Sequence, residues 1–298
     1  MNKNIVFMGT NKFSAIILDG LIKAGFKVVL VVTKADDVLT PDVIPLARRF
    51  GIDIFRPQSI KKQYPEVLKY QPDLIITASY GALIPDELVN LNTINIHASL
   101  LPKYRGASPI QASILSGDEA TGITIMKMAS KMDTGPIIYQ KALNILPEDN
   151  FSTLLSRLAI LGRDLLLEHL SDLIEGNYSL IPQDESLATY TKKITSNDQW
   201  ISFLNPAKTI IQQIRSLNEV PGAFIKINNQ SIKVFNAKIS DIIFNSKGVV
   251  ECLKKKFLIS CADGCIEILE LQIPSKRKMT AIEFLNGQKL IKIGDQVQ

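Results

Sequence analysis

Four short runs, NIVFMG, KVVLVVT, DLIITAS and TINIHA, recur through the first hundred residues and are apolar at nearly every position. A strand with one wet face alternates apolar and polar residues, whereas a strand covered on both faces does not. Helical patterning lies between these runs, at about residues 13–24 and in PDELVNL. Strand–helix alternation with doubly buried strands commits this half of the chain to an α/β fold with a mostly parallel sheet and right-handed crossovers.

The pattern changes further on. SPIQASILSGD reads as a helix with Ser108 at the N-cap and Pro109 at the first helical position. TGITIMKMA and GPIIYQKALNI read as paired strands around a SKMDTG loop, and a long helix follows at about residues 151–174. From about 176 to 205 the periodicity fades into an extended linker. Beyond a helix at about residues 207–217 come five short strand patterns, AFIKIN, SIKVFNAKI, GVVECL, KFLISCA and CIEILELQI. Turn pairs such as Asn228–Asn229 and Asp263–Gly264 separate them, which is the signature of a small barrel.

The chain has 298 residues, 46% hydrophobic and 21% charged, which excludes a disordered segment and leaves room for two domains. No apolar run has the length of a bilayer span, and MNKNIVFMGT carries no signal-peptide pattern. Cys252, Cys261 and Cys265 are odd in number and sit in strand-like surroundings, so reduced thiols are expected rather than a disulfide or a metal site. A cytoplasmic protein is the expectation. Charge is divided unevenly: residues 189–298 carry 16 Lys and Arg against 9 Asp and Glu, and the rest carry 18 against 20. An anionic partner such as nucleic acid accounts for that excess, and so does a soluble basic surface.

NIHASLLPKYRG, at residues 95–106, carries the chemistry. In a strand, Asn95 and His97 point to one face, and the carboxyl end of a parallel strand opens into the crevice where α/β sheets bind ligands. An amide beside an imidazole suits acyl chemistry: the amide hydrogen-bonds developing negative charge and the imidazole handles a proton near neutral pH. A strand that merely ends in polar residues is the competing reading. His97 has no carboxylate beside it in sequence, and Asp133 in KMDTGPI is the best supplier. No G-x-S-x-G or comparable nucleophile stands out, which favours direct transfer between two substrates. MGTNKFS lacks the glycines and the Lys of a phosphate loop, so no nucleotide cofactor is expected. His169, in RDLLLEHLSDLIE, reads as a surface or boundary residue.

IVFMGTNKFS, DLIITASYGALIP, INIHASLLPKYRGASPIQASILSGDEATGITIMKM and KMDTGPII resemble the folate-dependent formyltransferases. TYTKKIT, IRSLNEVPGAF and DGCIEILELQIPSKRKMTAIEFLNG are similar to the linker and C-terminal domain of those members that act on methionyl initiator tRNA. The resemblance covers nearly the whole chain. It implies a Rossmann-like catalytic domain at 1–182, a linker at 183–204 and an OB-like tRNA-binding β-barrel at 205–298. It implies transfer of formyl from 10-formyltetrahydrofolate to the α-amino group of methionine on initiator tRNA, by a monomer, with no metal and no membrane. It places Asn95, His97 and Asp133 at the catalytic positions, Ser99, Leu100, Leu101 and Pro102 on the folate, and Tyr80 and Gly81 in the pocket wall. Lys103 and Arg105 stay open between substrate and solvent.

One segment departs from the family. Where its members carry a longer Gly- and basic-rich loop, residues 33–49 read TKADDVLTPDVIPLARR, short and acidic in the middle. Acceptor-end discrimination is then relaxed or borne by the basic C-terminal part. A formyltransferase on another amine, a hydrolase of the formyl-folate and an RNA-binding protein without activity are the competing readings; the C-terminal segments weigh against the first two and the intact Asn95, His97 and Asp133 against the third.

Overall fold

The computed structural model describes residues 3–35, 41–244, 246–252, 255–287 and 291–297. The chain forms two compact units, one of residues 1–110, 119–145 and 153–192, the other of 111–118, 146–152 and 193–298. The acidic middle of the short loop, residues 36–40, lies outside the described residues.

In the first unit β1 (Ile5–Gly9), β2 (Val28–Val32), β3 (Asp53–Phe55), β4 (Leu74–Ala78) and β5 (Thr93–His97) pair in parallel. After the two-residue β6 (Arg105–Gly106), β7 (Ala120–Lys127) and β8 (Ile137–Asn144) add antiparallel. The order is β3-β2-β1-β4-β5-β7-β8. Every residue of β1 and β4 is buried, as unbroken apolar runs require. The helices up to α7 are α1 (Lys12–Lys23), α2 (Val43–Arg49), the single turns α3 (Ile60–Gln63), α4 (Pro65–Leu68) and α5 (Asp86–Val89), then α6 (Pro109–Ser116), most of which counts to the second unit, and α7 (Phe151–Glu175), which from residue 153 belongs to the first. α1 starts where Asn11 accepts a hydrogen bond from the Ser14 amide. α7 buries Leu154, Leu158, Leu165, Leu166, Leu170 and Leu173, one apolar stripe at helical spacing. Each such side chain contributes roughly 1.5–3 kcal/mol on leaving water, which outweighs helix propensity in fixing α7.

The connections place the crevice. From β1 the chain winds outward through β2 and β3, then returns to β4 on the other side of β1 and continues to β5. The switch point lies at the carboxyl ends of β1 and β4, and β5 ends next to it.

The expected linker region is not featureless. Glu185–Leu187 form a 3-10 turn, and β9 (Tyr190–Thr191) pairs in parallel with β6. Within this region residues 176–192 belong to the first unit and 193–205 to the second.

The second unit holds α8 (Ala207–Leu217) and a sheet of β10 (Ala223–Ile227), β11 (Gln230–Ser240), β12 (Val250–Cys252), β13 (Phe257–Cys261) and β14 (Gly264–Gln272), followed by β15 (Met279–Thr280) and α9 (Ala281–Gly287). Its order is β10-β11-β14-β13-β12, antiparallel throughout, with β15 on β14. Bridges from Val297 to Ile227 and from Gln296 to Val249 tie the last residues to both edges, so the sheet curls into a small OB-like barrel. Asn228 and Asn229, at φ 48° and 62°, make the two-residue hairpin that their sequence favours. Among the described residues no helix is long and apolar enough to cross a membrane.

The barrel core gathers around Phe257, which is fully buried and stacks on Phe284 with ring centroids 5.7 Å apart. Trp200, the only tryptophan, lies in the same unit against Phe224. Phe257→Ala is expected to destabilise this unit by about 3–5 kcal/mol, read as an earlier urea transition in Trp200 fluorescence.

Candidate active site

Asn95 and His97 stand on one face at the carboxyl end of β5, two residues apart as the strand period dictates. Thr77 lies opposite Asn95 in the register of β4 and β5, and its hydroxyl donates to Asn95 Oδ1 at 2.8 Å. That bond fixes the amide orientation and turns the Nδ2 donors outward. His97 is 6% exposed, and its Nε2 is 3.0 Å from the Tyr104 carbonyl oxygen. A carbonyl only accepts, so Nε2 carries the proton and a neutral imidazole presents its lone pair at Nδ1.

Asp133 is brought to this face by the loop between β7 and β8, with φ at 54°. One carboxylate oxygen, Oδ2, accepts the Gly106 amide at 2.8 Å. The other, Oδ1, is 3.5 Å from Asn95 Nδ2 and 3.7 Å from His97 Nδ1. The loop fits because residue 135 is glycine: a Cβ there would lie 1.8 Å from the Lys127 carbonyl oxygen. The carboxylate thus holds amide and imidazole together at an open strand end. The orientation of the ring itself comes from the Tyr104 carbonyl, since 3.7 Å is too long for a direct hydrogen bond from Nδ1.

The other site residues predicted from the sequence divide. Tyr80 and Gly81 follow β4 and line a cavity of about 450 Å³ with Lys34, Ser59, Ile60 and Lys61. Burial pushes the Tyr80 phenol up to about 12, so it stays neutral and offers a ring and an uncharged hydroxyl. Asn95, His97, Asp133 and the Ser99–Pro102 turn do not line that cavity. In the turn, Ser99 is fully buried and donates to the Lys103 carbonyl oxygen at 2.5 Å. Leu101 is 3% exposed and packs with Met126 and Ile137, while Leu100 and Pro102 are half-buried. Lys103 is exposed with its ammonium 5.0 Å from the Tyr104 ring centroid. Arg105 does not face solvent: it is 1% exposed and paired with Glu185. His169 is partly buried and stacks on Tyr139 at 3.7 Å between centroids.

Sequence reasoning missed Thr77, the Tyr104 carbonyl, the Gly106 amide and Gln183, whose side chain donates to the Asp133 and Gly135 carbonyls. Thr77 had a signal, as the one hydroxyl inside the buried run LIITA. The backbone groups had none. Among the described residues no group of three or more His, Cys, Asp or Glu is placed to hold a metal.

Comparison with known proteins adds to this geometry. Residues 3–170 match the formyl transferase family, and residues 193–289 match the C-terminal domain of formyl transferases. The methionyl-tRNA formyltransferase of Lactobacillus acidophilus is 40% identical over 300 residues, covering 96% of this chain and 95% of that one. That of Staphylococcus aureus is 36% identical over 308 residues, covering 98% and 99%. Among solved structures, the N-formyltransferase of Helicobacter canadensis, in complex with folinic acid and dTDP-3-aminofucose, matches with a TM-score of 0.70 at 22% identity, over 90% of this chain and 99% of that one. HypX from Aquifex aeolicus in complex with tetrahydrofolic acid matches with a TM-score of 0.70 at 18% identity, over 96% of this chain. The chain spans about half of HypX, 47% of its length. At these identities the structures show the shared fold.

The carbonyl contact predicts the tautomer of His97. Its neutral imidazole is the Nε2–H form, which 15N chemical shifts of the ring report as a protonated Nε2 and an unprotonated Nδ1. With only two histidines in the chain, His169→Gln leaves a single set of ring signals to read.

Proposed function

The chain belongs to the formyl transferase family, and we propose that it transfers the formyl group of 10-formyltetrahydrofolate to the α-amino group of methionyl initiator tRNA, giving N-formylmethionyl-tRNA. The observation that carries the mechanism is the convergence of Asn95 Nδ2 and His97 Nδ1 on one oxygen of Asp133.

The folate supplies a formyl carbon on N10, and the neutral amine of methionine attacks it. Asn95, with its carbonyl side held by Thr77, directs an N–H at the formyl oxygen as negative charge develops there. His97 sits beside it and takes up and returns the proton that the attacking amine loses. Asp133 balances the positive charge of His97 when Nδ1 is protonated, and its own charge is held in place by the Gly106 amide. The new amide C–N bond forms, the bond from the carbon to N10 breaks, and the amine proton ends on N10. No water, metal or covalent enzyme intermediate enters the balance.

Ser99, Leu100, Leu101 and Pro102 hold the folate together with Tyr80 and Gly81. Ser99 and Leu101 shape the turn from within, and the half-buried Leu100 and Pro102 offer the contact. The catalytic domain spans 1–182, the linker 183–204 and the OB-like domain 205–298. The excess of basic residues after 188 supports the assignment of that domain to tRNA. The enzyme acts as a monomer in the cytoplasm.

Incubation with 10-formyltetrahydrofolate and methionyl initiator tRNA is expected to yield formylmethionyl-tRNA. Asp133→Asn should lower kcat by about a hundredfold or more while the KM for the folate moves less than about threefold. Turnover equal to that of the parent enzyme would overturn the assignment. Affinity for tRNA should fall steeply between about 50 and 200 mM salt, and a salt-independent Kd would remove the basic surface from the tRNA contact.

A further inference from the structure

Arg105, three residues past the Ser99–Pro102 turn, is a cation only 1% exposed. Its partner Glu185 is 70% exposed, and an ion pair with one member in water adds little to the stability of a fold. What the cation touches gives it another use. Its Nη1 and Nη2 donate to the two oxygens of Glu185 at 2.9 and 2.7 Å, a bidentate pair. That carboxylate holds the Arg105 charge and pushes its ionisation further up, and hydrogen bonds from Arg105 lower Glu185 in return. Nη1 also donates to the Tyr190 hydroxyl at 3.1 Å. The third nitrogen, Nε, donates to Gln183 Oε1 at 3.0 Å.

Gln183 then passes this constraint to the catalytic loop. With its carbonyl oxygen taken by Arg105, the amide can point only its Nε2 at the loop, where it donates to the Asp133 carbonyl at 2.8 Å and the Gly135 carbonyl at 2.7 Å. Asp133 stands in the left-handed region, a conformation a non-glycine residue keeps only when its surroundings impose it. The same segment grips the other side of the site. The Thr189 hydroxyl accepts the Tyr104 amide at 2.8 Å, and the Thr189 carbonyl accepts the Arg105 amide at 2.8 Å. Gly106, at φ 116°, lies so close to Thr191 that a Cβ would fall 2.3 Å from its carbonyl oxygen. Tyr104 supplies the carbonyl that orients His97, and Gly106 the amide that binds Asp133.

We propose that Gln183 and Arg105 are positioning residues for formyl transfer: through them the segment 183–191 sets where the Asp133 carboxylate stands against His97 and Asn95. This rests on the catalytic reading of those three residues. Nothing in 183–191 touches the reacting atoms in this account. The segment acts by fixing a carboxylate whose useful position is defined to within about an ångström.

Gln183→Leu keeps the size of the side chain and removes the donor and the acceptor together. It is expected to lower kcat by about ten- to fiftyfold, with folate KM within about threefold and Tm within a few degrees. The deciding measurement is a double-mutant cycle against Asp133→Asn, in single turnovers with excess enzyme. If Gln183 works through Asp133, Gln183→Leu costs less than about twofold in the Asp133→Asn background. The same loss in both backgrounds, or a loss confined to KM, overturns the proposal. Glu185→Gln, changed at an exposed carboxylate, is the second variant should Gln183→Leu fail to fold. It is expected to lose about two- to fivefold in kcat, with that loss absent beside Asp133→Asn, and equal losses overturn the proposal as before. Full activity of Asp133→Asn alone would instead refute the catalytic reading, so the two failures are distinct.

Discussion

A carboxylate that is nearly out of water needs donors, and Asp133, with its side chain 11% exposed, sets that requirement for the whole site. Its Oδ2 takes a backbone amide from Gly106, and its Oδ1 faces an amide and an imidazole at 3.5 and 3.7 Å. Three stretches of chain must therefore meet within a few ångströms: the end of β5, the loop after it, and the turn between β7 and β8. The parallel sheet supplies the first, the antiparallel extension the third. The loop between them is shaped by Thr124, which accepts the Leu101 amide and donates to the Ser99 carbonyl.

The division of labour around His97 follows from hydrogen-bond chemistry. A carbonyl oriented the ring and thereby chose the tautomer; a carboxylate at slightly longer range stands ready for the charge that appears when the ring is protonated. A direct, short bond from Asp133 would hold the proton on Nδ1 instead. The arrangement leaves the Nδ1 lone pair pointing at the open strand end, the geometry that the proposed proton transfer between an amine and N10 requires.

Much of this was legible beforehand. The apolar runs gave β1, β2, β4 and β5, the helix predicted at about 207–217 is α8, and the Asn228–Asn229 hairpin stands where its residues required. Of the short elements only α5 was legible, in PDELVNL; β3 has three residues and α3 and α4 one turn each, too few for a period to show. The same holds for residues 183–191, whose order comes from pairing with β6 and from Arg105, not from an apolar pattern of their own. Arg105 stayed open between substrate and solvent in the sequence, because nothing in PKYRG announces that it will be buried and paired with a glutamate 80 residues later.

By itself the sequence determined which side chains share a face. The two-residue period of a strand put Asn95 and His97 together, and the unbroken apolar runs put them at the end of a doubly covered parallel sheet. The tertiary structure alone decided what surrounds them. Gly106 reaches Asp133 across 27 residues and Gln183 reaches it across 50, and both contacts depend on where loops close once the sheet has formed. Local periodicity carries no information at such separations, so the supporting contacts are fixed by the path of the chain and by the need to satisfy each buried polar group.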